Sequence, residues 1–263
     1  KTMLDPIRLQ QEIQNASGIS SAQWMEQKTT IENHLPGKLT GLNCPKCMNR
    51  GYTVRVDGDY YVRDECDCMP QRRALRRIKR SGLSDLIEEY TFSRYQTPEK
   101  WQEVAKSKAI RFLDQPGAWF CISGTPGSGK THLCTAIASE LIKAGKEVRY
   151  MLWRSVAPRL KSLVNSREEY EQLMREYRDT EVLYIDDFFK GTVTDPDKNL
   201  AFELLNDRYN SRKTMTIISS EKTIEEILAI DEAIGSRMYE RSKGFYVKTA
   251  ADNWRLHGQG RKE

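Results

Sequence analysis

From residue 119 onward, apolar and polar positions fall into blocks that read as strands and helices in turn. Trp119-Phe120-Cys121-Ile122 is an unbroken apolar run, suited to a buried strand. Leu133, Ile137, Leu141 and Ile142 then recur at helical spacing until Gly145, a C-terminal stop. A strand is predicted over 147–152, and two helices over 155–165 and 167–178. A strand over 182–185 follows, then a helix carrying Leu200, Leu204, Leu205 and Tyr209, and a strand over 215–219. Alternation of this kind implies a mostly parallel sheet covered by helices on both faces.

The first third follows another pattern. Leu4, Ile7, Leu9, Ile13, Trp24, Met25 and Ile31 fit two short helices broken around Ser17-Gly18, and Pro36-Gly37 ends that stretch. Residues 38–70 are rich in cysteine, glycine and tyrosine. Within them two alternating runs, 52–56 and 60–63, flank Asp57-Gly58-Asp59, a hairpin signal. Residues 71–80 hold six basic residues in ten and read as a charged helix or hinge, closed by Ser81-Gly82. The expected division is a small N-terminal domain over 1–70, a basic linker over 71–83 and an α/β domain over 84–263.

Composition narrows the class. The chain has 263 residues, 38% hydrophobic and 30% charged, with a net charge of +5. That balance permits nucleic-acid binding without demanding it. No apolar stretch approaches the ~18 residues that a membrane span requires, and the start does not read as a secretory signal. Six irregularly spaced cysteines do not suggest a secreted disulfide scaffold, so a cytoplasmic protein without membrane contact is expected.

The chemistry is concentrated in a few segments. Gly124-Thr125-Pro126-Gly127-Ser128-Gly129-Lys130-Thr131 lies between a predicted strand and a predicted helix, the context in which a nucleoside-triphosphate loop works. Its glycines allow a tight turn whose N–H groups aim at phosphate oxygens. Lys130 supplies charge for the β- and γ-phosphates, and the Thr131 hydroxyl a magnesium ligand. Val182-Leu183-Tyr184-Ile185 ends in Asp186-Asp187; buried strands seldom close on adjacent acids unless a cation or a proton transfer rewards them. Asp186 is the expected magnesium ligand and Asp187 the residue that orients or deprotonates the attacking water. Ser220 or Glu221, after the next strand, stands where a γ-phosphate sensor would, although a helix cap explains Ser219, Ser220 and Thr223 equally well. Arg237 and Arg241 lie one helical turn apart and share a face. Arg237 is the candidate to stabilise phosphoryl-transfer charge across a subunit boundary.

Cys44-Pro-Lys-Cys47 and Cys66-Asp-Cys68, separated by 18 residues, fit two turns presenting four thiolates to one structural zinc ion. Cys121 and Cys134 read as small core residues. The basic run from Arg72 to Arg80 either follows nucleic-acid phosphates or forms a solvated connecting helix. Arg154, Arg159, Lys161, Arg167 and Arg175 are the second DNA-facing set.

Taken together, the phosphate loop, the Ile185-Asp186-Asp187 strand end, Ile217-Ile218-Ser219-Ser220-Glu221 and the Gly235-Ser236-Arg237 motif with Glu240-Arg241 resemble bacterial and phage replicative helicase loaders of the DnaC/DnaI type, within the AAA+ class. Ser81-Gly82-Leu83, Tyr90-Thr91-Phe92 and Trp101 add to the likeness, and the four-cysteine segment is similar to the DnaI-like branch. The resemblance spans about residues 40–256. It implies a zinc-ribbon-like N-terminal module that grips the hexameric replicative DNA helicase, and a P-loop AAA+ domain with a reduced lid that self-assembles, binds ATP and magnesium, and contacts single-stranded DNA. It carries ATP binding to 124–131, magnesium and water to Asp186 and Asp187, and a neighbour's nucleotide to Arg237. Glu221 departs from the asparagine often found at the sensor position. Phe92 and Tyr95 are adenine-pocket candidates by position. The alternatives are a transposition-helper ATPase of the IstB type, a protein that holds ATP only structurally, or a phage-borne decoy that occupies the helicase.

Overall fold

A computed structural model describes residues 20–58 and 60–249. The helical positions expected between Leu4 and Ile13, and Trp254, lie outside them. The chain divides into two compact units, 1–75 and 76–263.

In the smaller unit, α1 (Ser21–His34) starts where Ser20 and Gln23 form a reciprocal capping box, and stops at Leu35 before Pro36. The hairpin β1 (Tyr52–Asp57) and β2 (Tyr60–Glu65) is antiparallel, with Asp57 opposite Tyr60. Asn33 of α1 satisfies the outer edge of β1 with its amide, accepting from the Val54 N–H and donating to the Val54 carbonyl, both at 2.8 Å. The basic segment is helical: α2 spans Met69–Ser81, and the division between the units falls inside it.

The larger unit begins with the second half of α2, followed by α3 (Lys100–Phe112). Then come β3 (Trp119–Ser123), α4 (Lys130–Lys143), β4 (Val148–Leu152), α5 (Trp153–Ser162), α6 (Arg167–Arg178), β5 (Val182–Phe188), α7 (Asp195–Asn210), β6 (Met215–Ser220), α8 (Ile224–Ile230), α9 (Glu232–Arg241) and β7 (Tyr246–Lys248). The five strands form one parallel sheet in the order β4-β5-β6-β3-β7. Every residue of β3 and β6 is buried, as expected of central strands covered on both faces. Phe112 of α3 and Leu133, Ile137 and Leu141 of α4 pack on one face with Phe120, Ile122 and Tyr184. Leu160, Met174, Leu200, Leu204 and Met238 cover the other with Trp119, Leu183 and Ile185. The α/β expectation holds.

β5 runs three residues beyond the expected 182–185, through both aspartates. Its register against β6 shifts between Ile185 and Phe188, a bulge. Arg208, which sequence reasoning passed over, is fully buried in α7. Its guanidinium donates to the carbonyls of Tyr177, Arg178, Thr180 and Met215 and to the Thr216 hydroxyl, tying the end of α6 to β6. Burial draws its pKa down to about 9, which leaves it a cation at neutral pH.

Candidate nucleotide site and cysteine cluster

β3 delivers the chain into the glycine-rich loop at the carboxyl end of the sheet, where ligands of open α/β sheets bind. Gly124 has φ +141°, and a Cβ there would lie 1.9 Å from the Thr249 hydroxyl oxygen. Gly129 caps α4 in the left-handed region, at φ +83°. Neither position accepts a side chain without strain. Ser128 braces the turn by donating to the Thr125 carbonyl at 2.9 Å, and Pro126 and Gly127 complete the bend. Lys130 is the first residue of α4. Its ammonium folds back onto the carbonyls of Gly124 and Thr125 at 2.8 and 2.7 Å. Burial holds its pKa below the ordinary lysine value, against the pull of Glu221 and Asp187.

Thr131 faces the end of β5, with its hydroxyl 3.3 Å from both Asp186 oxygens. Asp186 is almost fully buried and also accepts from the Tyr150 hydroxyl at 3.1 Å and from the Ser219 hydroxyl. Three hydroxyls from α4, β4 and β6 thus compensate the desolvation of one carboxylate. An oxygen-rich pair of this kind, Thr131 and Asp186 beside a phosphate loop, has the donor chemistry that suits magnesium. Asp187 is in the bulge with φ +56°; its N–H donates to Ser219 at 3.1 Å, and its carboxylate pairs with Lys190 at 3.2 Å.

Ser220 takes the capping place that is the alternative to a sensor. Its hydroxyl donates to the Phe188 carbonyl and accepts from the Lys222 N–H, so it closes the strand-to-helix turn. The serine at the acidic site is Ser219. Its position follows from register: Ile185 pairs with Ile218, which brings the next residue of β6 level with Asp186. Tyr150 was also missed, although Leu152 pairs with Asp186 and a residue two places earlier shares its face. Glu221 is taken by Lys190 at 2.7 Å. Tyr95 packs edge-on to His132 and beside Gly129, and Phe92 is half-buried against the same core.

Arg237 and Arg241 do share one face of α9. Arg237 donates to the Ala233 carbonyl and to Asn206 Oδ1 at 2.8 and 3.0 Å, and lies over the rings of Phe202 and Tyr209. Arg241 lies over Tyr209, whose hydroxyl donates to Glu240. The contacts of Arg237 therefore run to α7 and its own helix.

The basic positions sort differently from the expectation. Arg72 is buried and donates to the Thr40 and Leu42 carbonyls, Asn49 Oδ1 and Cys68 Sγ, so it is unavailable for phosphates. Arg73 pairs with Glu65 and Arg77 donates to the Ile142 carbonyl, whereas Arg76, Lys79 and Arg80 are exposed. In the second set Lys161 is held by Asp197 at 2.6 Å, and Arg154, Arg159, Arg167 and Arg175 are exposed.

The sulfurs of Cys44, Cys47, Cys66 and Cys68 all lie within 4.8 Å of one another. Cys44 faces Cys66 at 3.8 Å and Cys47 faces Cys68 at 3.7 Å. Left-handed Met48 and Asn49 turn the first pair inward, and the Gly51 N–H donates to Cys47 Sγ at 3.3 Å. Burial opposes ionisation of Cys47, yet this N–H and the neighbouring thiols draw its pKa down to about 6. Four converging buried thiols are the donor set of a tetrahedral zinc site. Cys121 and Cys134 are buried in the sheet layers, as expected.

Among the described residues no helix is long and apolar enough to cross a membrane. A model of the family described as IstB-like ATP binding protein matches residues 51–259. The chain is 32% identical over 207 residues to YqaM of Bacillus subtilis (strain 168), a match covering 73% of this chain and 65% of that protein. It is 31% identical over 235 residues to the phage-like element PBSX protein XkdC of the same organism, covering 82% of this chain and 87% of that one. To the replicative helicase loader DnaC of Escherichia coli (strain K12) it is 29% identical over 172 residues, 64% of this chain and 69% of that one. A crystal structure of the DnaC helicase loader has the same fold, with a TM-score of 0.54 at 20% identity over 62% of this chain and 98% of that one. The parallel sheet, the loop at its carboxyl end and a family match over most of the length agree: the chain belongs to the IstB/DnaC type of AAA+ ATP-binding proteins.

Proposed function

We propose that this protein is an ATP-hydrolysing loader that binds a hexameric replicative DNA helicase and delivers it onto single-stranded DNA. The observation that carries the ATPase part is the Thr131 hydroxyl 3.3 Å from both Asp186 oxygens, beside Lys130. Lys130 exchanges its two carbonyl partners for β- and γ-phosphate oxygens. Thr131 and Asp186 would hold the magnesium ion, which offsets phosphate charge. Asp187 orients the attacking water, and Arg237 of a neighbouring copy meets the charge that develops on transfer. Residues 124–131, Pro126 excepted, cradle the triphosphate through their N–H groups. The unit 1–75 would contact the helicase, with zinc on Cys44, Cys47, Cys66 and Cys68 holding its turns together. Exposed Arg154, Arg159, Arg167 and Arg175 offer the surface for single-stranded DNA. The likeness to DnaC supports the helicase as partner.

The family description favours one second reading, a transposition helper of the IstB type. Size-exclusion chromatography with a bacterial hexameric replicative helicase separates the two. A stable complex, and ATPase activity stimulated by single-stranded DNA and lost in Lys130→Ala, is the expected result. A chain that co-elutes with no such helicase would remove the loader reading, whatever its ATPase activity.

A further inference from the structure

Lys190 stands two residues past the end of β5 and bridges two carboxylates. Its ammonium lies 2.7 Å from Glu221 and 3.2 and 3.3 Å from the two oxygens of Asp187. An ion pair at a partly exposed position adds little to stability, so stability is a weak reason for this arrangement.

The backbone around it is unusual. Asp187 and Phe189 both adopt left-handed conformations, at φ +56° and +54°. For a bulky residue such as Phe189 this is strained and persists only where the surroundings over-determine it. Here Phe188 and Phe189 stack at 4.1 Å, Trp153 meets both rings edge-on, the Asp187 N–H is held by Ser219, and the Lys190 N–H donates to the Asp187 carbonyl. The main chain from 187 to 190 is thus fixed from several sides. The Asp187 carboxylate is ion-paired with Lys190, and the same ammonium is held by Glu221 at the end of the neighbouring strand.

We propose that Lys190 is a positioning residue for the hydrolytic step, holding the Asp187 carboxylate in line for the attacking water, with Glu221 as its counter-anchor. This rests on the hydrolytic reading given above. A bulge beside an active site re-aims a side chain, and Lys190 locks the aim that this one sets. A lysine stem has several rotamers; two carboxylates gripping it from adjacent strands remove that freedom. Glu221 then belongs to the site through Lys190, which accounts for an acid where a polar sensor was expected.

The test compares Lys190→Met/Glu221→Gln with the wild-type chain. The double variant loses one charge of each sign and so keeps the net charge beside the loop unchanged. Expected is a fall in kcat of about tenfold or more, since an ångström of misplacement costs up to ~10²-fold. Affinity for a fluorescent ATP analogue and the melting temperature stay close to wild type. Lys190→Arg, which keeps the bridge, retains most of kcat, and Glu221→Gln alone loses less than the double variant. A double variant with wild-type kcat, or a Lys190→Arg variant as impaired as it, overturns the proposal and leaves the ATPase reading intact. A wild-type chain that binds ATP and never hydrolyses it overturns both.

Discussion

Asp186 concentrates the residue-level logic of the site. A carboxylate with so little exposure needs partners in place of water, and hydroxyls from Thr131, Tyr150 and Ser219 supply them. Removing Tyr150's hydroxyl in Tyr150→Phe leaves two donors, and about 1 kcal/mol of binding should go, so magnesium-dependent ATP affinity weakens roughly fivefold with the fold retained. Ser219→Ala is expected to do more harm, because Ser219 also receives the Asp187 N–H inside the bulge. Its loss should lower kcat as well as affinity. Equal kinetics for Ser219→Ala and Ser220→Ala in a steady-state ATPase assay would contradict this assignment, since Ser220 serves only the turn.

At the scale of elements, α7 illustrates how the layer facing Trp119 and Leu183 is anchored. Thr194 and Asp197 form its capping box, and Lys161 of α5 reaches the same carboxylate at 2.6 Å. Burial pushes the Asp197 pKa up, but Lys161 and the Thr194 hydroxyl and N–H outweigh it and hold the group below its ordinary value. The folded pKa lies below the unfolded one, so this contribution is full above the unfolded carboxylate value near ~3.9 and fades as pH falls through the folded one. Asp197→Asn should therefore cost about 1 kcal/mol at pH 7, and the gap to wild type in urea midpoint should close below about pH 4. A constant gap down to pH 3 would mean that the loss is not electrostatic. Other parts of this layer differ in how legible they are. The runs of β3 and β6 and the loop between Ile122 and Leu133 are local patterns, so they can be read from the chain. The assignment of Ser219 rather than Ser220 depends on strand register, and the Asp187 bulge on a φ that no composition announces. Arg208 and Arg72 look like surface cations in one dimension. Each is buried because clustered carbonyls from distant segments supply its acceptors, and that grouping exists only after folding.

For the whole molecule, each unit makes its own demand. Residues 20–58 and 60–75 contain a 14-residue helix, a single two-stranded hairpin and the first half of α2, too little core to be stable unaided. The cysteine cluster supplies the missing free energy if zinc is bound. One zinc ion per chain is expected by elemental analysis. Chelation or Cys47→Ser should melt this unit while nucleotide binding by 76–263 persists; loss of both together would show that the units do not melt independently. The larger unit has the opposite problem, because Arg237 spends its bonds on Ala233 and Asn206 and its face on Phe202 and Tyr209. Such an arginine is held rigidly at a surface formed by α7 and α9, which suits a group that must meet another copy's phosphate without reorganisation. Arg237→Ala alone should bind ATP normally and hydrolyse it poorly, whereas Lys130→Ala should not bind it at all. Mixed together, the second variant lends its intact Arg237 to the nucleotide of the first. Activity should then exceed the sum of the separate samples and depend on total protein concentration, as a reaction between subunits requires. Strict additivity across that concentration range would assign Arg237 to the packing of α9 on α7 alone.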